Sequence, residues 1–220
     1  MNYIDKHFCY NGGMINQMQI KAVIFDMGGV LLKTADASSR EAIAKRFGVS
    51  RAELEAFVFA SESSIQSERG MLSDVAHWHN VMRHFGQPLS DYMQMYDEYF
   101  AGDAIDQRLL DYAASLKPAY TLGLLSNAWE NARTLLSQRF DFLDRFDVSL
   151  FSYEVKARKP DARIYHAMLD RVGADPHETV FIDDVQENVD GAIAVGMHAL
   201  RFSGTDETIA ALNAFLHREK

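Results

Sequence analysis

The feature that most constrains this chain is a set of short apolar runs, several of which end in polar residues. The first is Ile20-Lys21-Ala22-Val23-Ile24-Phe25-Asp26, with two β-branched residues at its centre and Met27-Gly28-Gly29 behind it. A mostly apolar run of this length fits a strand buried on both faces, as in a parallel sheet. Residues 120–127, 180–184 and 198–202 look similar, and 148–152 is a weaker fifth. Helical stretches separate them at 131–139, 161–172 and 189–195. Strands alternating with helices imply βαβ units, right-handed crossovers and one parallel sheet. The expected fold is therefore α/β, with a Rossmann-like parallel sheet core.

Residues 37–100 read differently, with no convincing strand. Ser50-Arg51-Ala52-Glu53 is a capping-box pattern ahead of Leu54, Phe57 and Val58 at helical spacing. Ser73-Asp74 opens a second helix and Pro88-Leu89-Ser90-Asp91 a third, with Gly48, Gly70 and Gly86 as punctuation. The expected plan is an all-α helical bundle (37–100) inserted as a cap domain into a discontinuous α/β core of 20–36 and 101–220. Residues 1–19 are largely polar and are expected to form a flexible lead-in.

Composition narrows the function. The 220 residues carry 22 basic and 31 acidic side chains, a formal net charge of −9. That balance argues against nucleic-acid binding, which needs a clustered Lys/Arg footprint. The clearest basic cluster, Lys156-Ala157-Arg158-Lys159, suits one phosphate and not a duplex. Cys9 is the sole cysteine, which excludes an internal disulfide and CxxC metal sites. No run of 18 apolar residues exists, so no membrane partner is expected. A cytoplasmic protein with a small-molecule partner is the default expectation; oligomeric state is left open.

In a parallel sheet the C-terminal strand ends converge on one crevice. Asp26, Ser126, Asn127, Asp183 and Asp184 fall at such ends, with Lys159 beside them. Three carboxylates packed together repel one another and need a cation. Mg²⁺ suits them, being hard, oxygen-seeking and compatible with a substrate phosphate. A carboxylate beside a metal is also a nucleophile. Attack of Asp26 on phosphorus would split one hard step into two. The Ser126 hydroxyl, the Asn127 amide, the Lys159 ammonium and backbone N–H groups after Asp26 are candidate partners for a phosphoryl group. Gly28 and Gly29 let the backbone approach an anion closely.

The ordered set Phe25-Asp26-Met27-Gly28-Gly29-Val30, Leu124-Leu125-Ser126-Asn127, Arg158-Lys159-Pro160-Asp161 and Phe181-Ile182-Asp183-Asp184 resembles the haloacid dehalogenase-like hydrolase superfamily. The likeness spans Ile20 to about Phe202, and the helical insert resembles the cap of its subfamily I. Asp26 to Leu31 and Ser67-Glu68-Arg69-Gly70 are similar to the branch of bacterial glucose-1-phosphate phosphatases and the epoxide hydrolase phosphatase domain. The resemblance implies Asp26 as nucleophile and Mg²⁺ ligand, with the Gly28 carbonyl and Asp184 as further ligands. It implies Asp183 as a direct or water-mediated helper, and Ser126 and Lys159 as phosphoryl-binding groups. The expected activity is hydrolysis of a small phosphorylated metabolite, with sugar phosphates among the candidates.

Two departures stand out. Most phosphatases of this superfamily carry an aspartate two residues after the nucleophile, as general acid/base; here that position is Gly28. Lys156 stands where the family often has glycine. A metal-free carbon–halogen hydrolase and a catalytically inactive binding module therefore stay open, the first weakened by the doubled Asp183-Asp184. Elsewhere, His77 and His79 are two apart on a helix and face different sides, which speaks against a shared ligand role. Glu68-Arg69 is read either as a crevice-facing pair or as a surface ion pair, and Trp129 as a pocket wall or as packing for the insert.

Overall fold

The computed structural model describes residues 19–218. The expected lead-in, and Cys9 with it, lies outside the described residues apart from Gln19. The strands are β1 (Ala22–Phe25), β2 (Leu32–Thr34), β3 (Asp103–Ile105), β4 (Thr121–Ser126), β5 (Val148–Phe151), β6 (Thr179–Asp183) and β7 (His198–Arg201). The helices up to the second half of the chain are α1 (Ser38–Phe47), α2 (Arg51–Ala60), α3 (Glu62–Glu68), α4 (Asp74–His84), α5 (Tyr92–Tyr99) and α6 (Gln107–Ser115). They are followed by α7 (Ala132–Arg139), α8 (Ser152–Val155), α9 (Ala162–Val172), α10 (Gln186–Ala194) and α11 (Thr205–Arg218).

All five apolar runs become strands of one parallel sheet in the order β5-β4-β1-β6-β7. Side chains alternate across it. Val23, Phe25, Leu122, Leu124, Val180 and Ile182 pack on one face, against α6, α7 and α11. Ile24, Leu125 and Phe181 pack on the other, against α9 and α10. Burial on both faces is why these runs lack polar alternation. Each fully buried large side chain contributes about 1.5–3 kcal/mol.

Between the sheet's first two strands in sequence, β1 and β4, the chain forms α1 to α5 around Ile43, Leu54, Val58, Trp78, Val81, Met82, Met95 and Tyr99. The Ser50/Glu53 capping box forms at α2, and Ser73 caps α4. The third expected helix begins as a 3₁₀ turn at Leu89–Asp91 before α5. An antiparallel ribbon of β2 and β3 joins the helices to the sheet; neither strand was evident in the sequence at three residues each. His77 packs on Trp129 and His79 on Tyr92, so the two histidines do diverge. Among the described residues, no helix is long and apolar enough to cross a membrane.

Candidate active site

Strand register builds the site. Phe25 pairs with Leu124 on one side and Ile182 on the other. The residues just beyond, Asp26, Ser126 and Asp183, therefore end at one edge of the sheet. Asp26 N–H donates to the Ile182 carbonyl at 2.8 Å, extending the ladder to the carboxylate itself. Asp26 and Ser126 line a cleft of about 800 Å³ with Gly28, Gly29, Asn127, Lys159 and Asp184, while Asp183 lies fully buried behind them.

Lys159 is the electrostatic centre. It is 1% exposed, and its ammonium donates to Asp26 Oδ1 and Asp183 Oδ2, each at 2.6 Å, and to the Leu125 carbonyl at 3.1 Å. Those three acceptors match the three protons an ammonium carries. The neighbouring carboxylates raise its pKa against the opposing effect of burial. Burial raises the Asp26 pKa to about 7; Lys159 opposes the rise and Asp183 adds to it. Burial also raises Asp184, with Asp183 acting in the same direction.

Asp183 is held from several sides. Val185 N–H donates to its Oδ1 at 2.8 Å, and Asn188 Nδ2 reaches both of its oxygens at 3.1 Å. With Lys159 added, the carboxylate is a fixed support. Asn127 has a similar positioning part. Its Oδ1 accepts from Lys159 N–H at 2.8 Å and its Nδ2 donates to the Lys159 carbonyl at 3.2 Å. Ser126 is buried and points its hydroxyl at the Asn127 carbonyl, 3.2 Å away.

Carboxylate oxygens of Asp26, Asp183 and Asp184 all lie within 4.8 Å of one another. This all-oxygen donor set fits a hard divalent cation such as Mg²⁺. Gly29 makes room for the Asp184 carboxylate. With φ +82, a Cβ there would overlap the Asp184 carboxylate. Its N–H donates to the Leu32 carbonyl at 2.9 Å, so Gly29 serves the site through its missing side chain. Gly28 is different: a Cβ there would meet nothing within 4 Å.

The remaining candidates divide. Glu68 is buried on the cleft wall and pairs with Arg158, which links α3 to the segment carrying Lys159. Arg69 is exposed, and so is Lys156. Lys156 has φ 53 and ψ 31, the left-handed conformation in which glycine costs least, and it ends α8 away from the cleft. Trp129 packs among the helices of the insert and donates to Ser64 Oγ at 3.3 Å. Sequence reasoning missed Asn188 and Arg40. Asn188 follows Asp183 by five residues in the first turn of α10, a spacing that puts its amide back over the strand end. Arg40 comes from α1 to bind Asp103 at 2.7 and 2.9 Å on the cleft wall, with no local sequence signal.

The fold and site define a hydrolase of the α/β class, with a Rossmann-like sheet whose acid groups gather at its C-terminal edge. A family model described as haloacid dehalogenase-like hydrolase matches residues 20–196, and the chain belongs to that family. It is 28% identical to a sesquiterpene phosphatase of Aspergillus oryzae over 193 residues, 87% of this chain and 94% of that protein. It is 29% identical to bifunctional epoxide hydrolase 2 of Rattus norvegicus over 124 residues, 54% of this chain and 22% of that protein. The fold is similar to a haloacid dehalogenase family enzyme of Bacteroides thetaiotaomicron solved with magnesium and inorganic phosphate. That likeness has a TM-score of 0.69 and 26% identity, and covers 83% of this chain and 93% of the other.

Proposed function

We propose that this chain is a Mg²⁺-dependent phosphatase that hydrolyses a small phosphate monoester through an aspartyl-phosphate on Asp26. The observation that carries the reading is the buried Asp26–Lys159–Asp183 array with Asp184 alongside it. The phosphatase relative supports the same chemistry.

Mg²⁺ would be held by the Asp26 and Asp184 carboxylates and the Gly28 carbonyl, with Asp183 behind them; when bound it supplies positive charge against developing negative charge on phosphoryl oxygens. Asp26 attacks phosphorus: an Oδ–P bond forms and the ester P–O bond breaks. The leaving oxygen takes its proton from water, since Gly28 offers no acid. A water molecule then attacks the phospho-aspartate, the Oδ–P bond breaks, and phosphate departs. Lys159 keeps Asp26 oriented and sets positive charge beside the phosphoryl group, and Ser126 would turn its hydroxyl from the Asn127 carbonyl to a phosphoryl oxygen. Residues 37–100 act as a cap over the core of 20–36 and 101–220, excluding bulk water from the cleft.

Phosphate release from p-nitrophenyl phosphate, sugar phosphates and alkyl phosphates, with and without Mg²⁺, tests the reading. Turnover that requires Mg²⁺ and disappears in a folded Asp26→Asn variant is expected. Turnover retained in that variant overturns the nucleophile assignment, and turnover without metal overturns the Mg²⁺ assignment.

A further inference from the structure

We infer that the enzyme binds the non-transferred part of its substrate in an apolar subsite, so that its substrates are monophosphate esters of hydrophobic alcohols and not of polyols. The inference rests on the phosphatase reading and adds the substrate class to it. A second cavity of about 430 Å³ adjoins the catalytic cleft. This falls within the ~300–1,000 Å³ of small-molecule sites. Met27, directly after the nucleophile, lines both spaces, as do Leu32, Phe59 and Phe100. The two spaces thus adjoin directly beside the nucleophile, within reach of the organic group of an ester whose phosphorus sits at Asp26.

The wall is mostly apolar. Its apolar part is built from Phe59 and Phe100 of the insert and from Trp129, Leu135, Leu136 and Phe140 of the segment after β4. Phe59 is 40% exposed, unusual for a large apolar side chain, and stacks on Trp129 with ring centroids 6.0 Å apart. Its ring is thus available on one side to an apolar group entering the cavity, as in concave sites lined by aromatic side chains.

The polar groups on the part of the wall shared with the catalytic cleft are committed elsewhere, and the others, the half-buried Tyr96 and the exposed Asp97, Gln138 and Arg139, lie on the side towards solvent. Asp103 is held by both Arg40 contacts, Glu68 by Arg158, and Asn127 on both sides by the Lys159 backbone. Seating sugar hydroxyls there would leave them without partners or break these pairs, and either is unfavourable in a buried site. A hydrophobic chain asks for none of them.

The test is a homologous series of ethyl, hexyl and decyl phosphate, each below its micellar concentration, beside glucose 6-phosphate and p-nitrophenyl phosphate. kcat/KM is expected to rise about tenfold or more from ethyl to decyl phosphate, well inside the roughly fourfold per buried methylene that transfer to an apolar site allows. Decyl phosphate should exceed the sugar phosphate. Phe59→Ser and Leu135→Asn, at partly exposed positions and checked for folding by thermal melts, are expected to flatten the chain-length slope. A flat native series with phosphate released throughout, or a better sugar phosphate, overturns the subsite and leaves the phosphatase reading standing. Phosphate released from no ester, p-nitrophenyl phosphate included, overturns both.

Discussion

The Lys159 ammonium lies 2.6 Å from Asp26 Oδ1, with the two side chains only 1% and 9% exposed. It makes an equally short contact with Asp183, so one buried cation faces two buried anions. Removing one partner of such a group leaves charge uncompensated, at a cost of about 3–5 kcal/mol. Lys159→Met is therefore expected to lower the urea midpoint by a corresponding amount and to abolish phosphate release. Adding Mg²⁺ should recover part of the stability and none of the activity. A variant as stable as the native chain would show that Lys159 is not the counter-charge of the pair.

Gly29 and Asp184 form a steric pair. A methyl at residue 29 would collide with the Asp184 carboxylate, and φ +82 disfavours any side chain there. Gly29→Ala is expected to weaken Mg²⁺ binding, read as a smaller rise in melting temperature on Mg²⁺ titration, and to reduce turnover in parallel. An unchanged Mg²⁺ response would mean that Asp184 moves aside freely or holds no metal.

How much of this was legible in the sequence follows from where each signal is stored. A strand buried on both faces must be apolar along its whole length, so the five parallel strands stood out. Asp26, Ser126, Asp183 and Asp184 were legible as the polar ends of those runs. The three-residue strands β2 and β3 left no pattern, because Leu32–Thr34 and Asp103–Ile105 are only partly buried and too short to alternate. The side-chain partners of Asp183 and Asp103 were hidden for another reason. Asn188 and Arg40 act through tertiary distance, 5 and 63 residues away in sequence, and neither type is unusual in a helix. Asn127 was visible as a site residue, while its bond to the Lys159 backbone, 32 residues on, needed coordinates.

Gly28 is the place where the chain departs most clearly from the phosphatase pattern, and its backbone has room for the first carbon of a side chain. A Cβ there meets nothing within 4 Å. Gly28→Asp is thus expected to fold and to supply a proton to the leaving oxygen. General acid help is typically worth about 10²–10⁴-fold, and a new, unrefined acid should deliver the lower end. The gain should appear with alkyl phosphates, whose alkoxide leaves poorly, and be small with p-nitrophenyl phosphate, whose phenolate needs no proton. Equal effects on both esters would show that the added carboxyl acts on metal binding or on the backbone instead.

His77 offers a prediction about stability that is independent of catalysis. It is fully buried, 4.7 Å from the Trp129 ring, with Nδ1 2.9 Å from Ser63 Oγ. Burial lowers its pKa from 6.5 to about 4. The native state therefore keeps the imidazole neutral where the unfolded chain takes up a proton. Between pH 6.5 and 4 the unfolded state binds more protons, so stability falls as pH drops through that window and is fully present above it. At ~1.4 kcal/mol per pKa unit the loss is on the order of 3 kcal/mol at most. Urea denaturation of the native chain and of His77→Gln, run from pH 7.5 to 4, isolates this contribution from that of the carboxylates. The difference in stability between the two proteins should shrink as the pH falls. A constant difference across the range would mean that His77 titrates alike in both states, and that its burial between α3 and Trp129 carries no proton linkage.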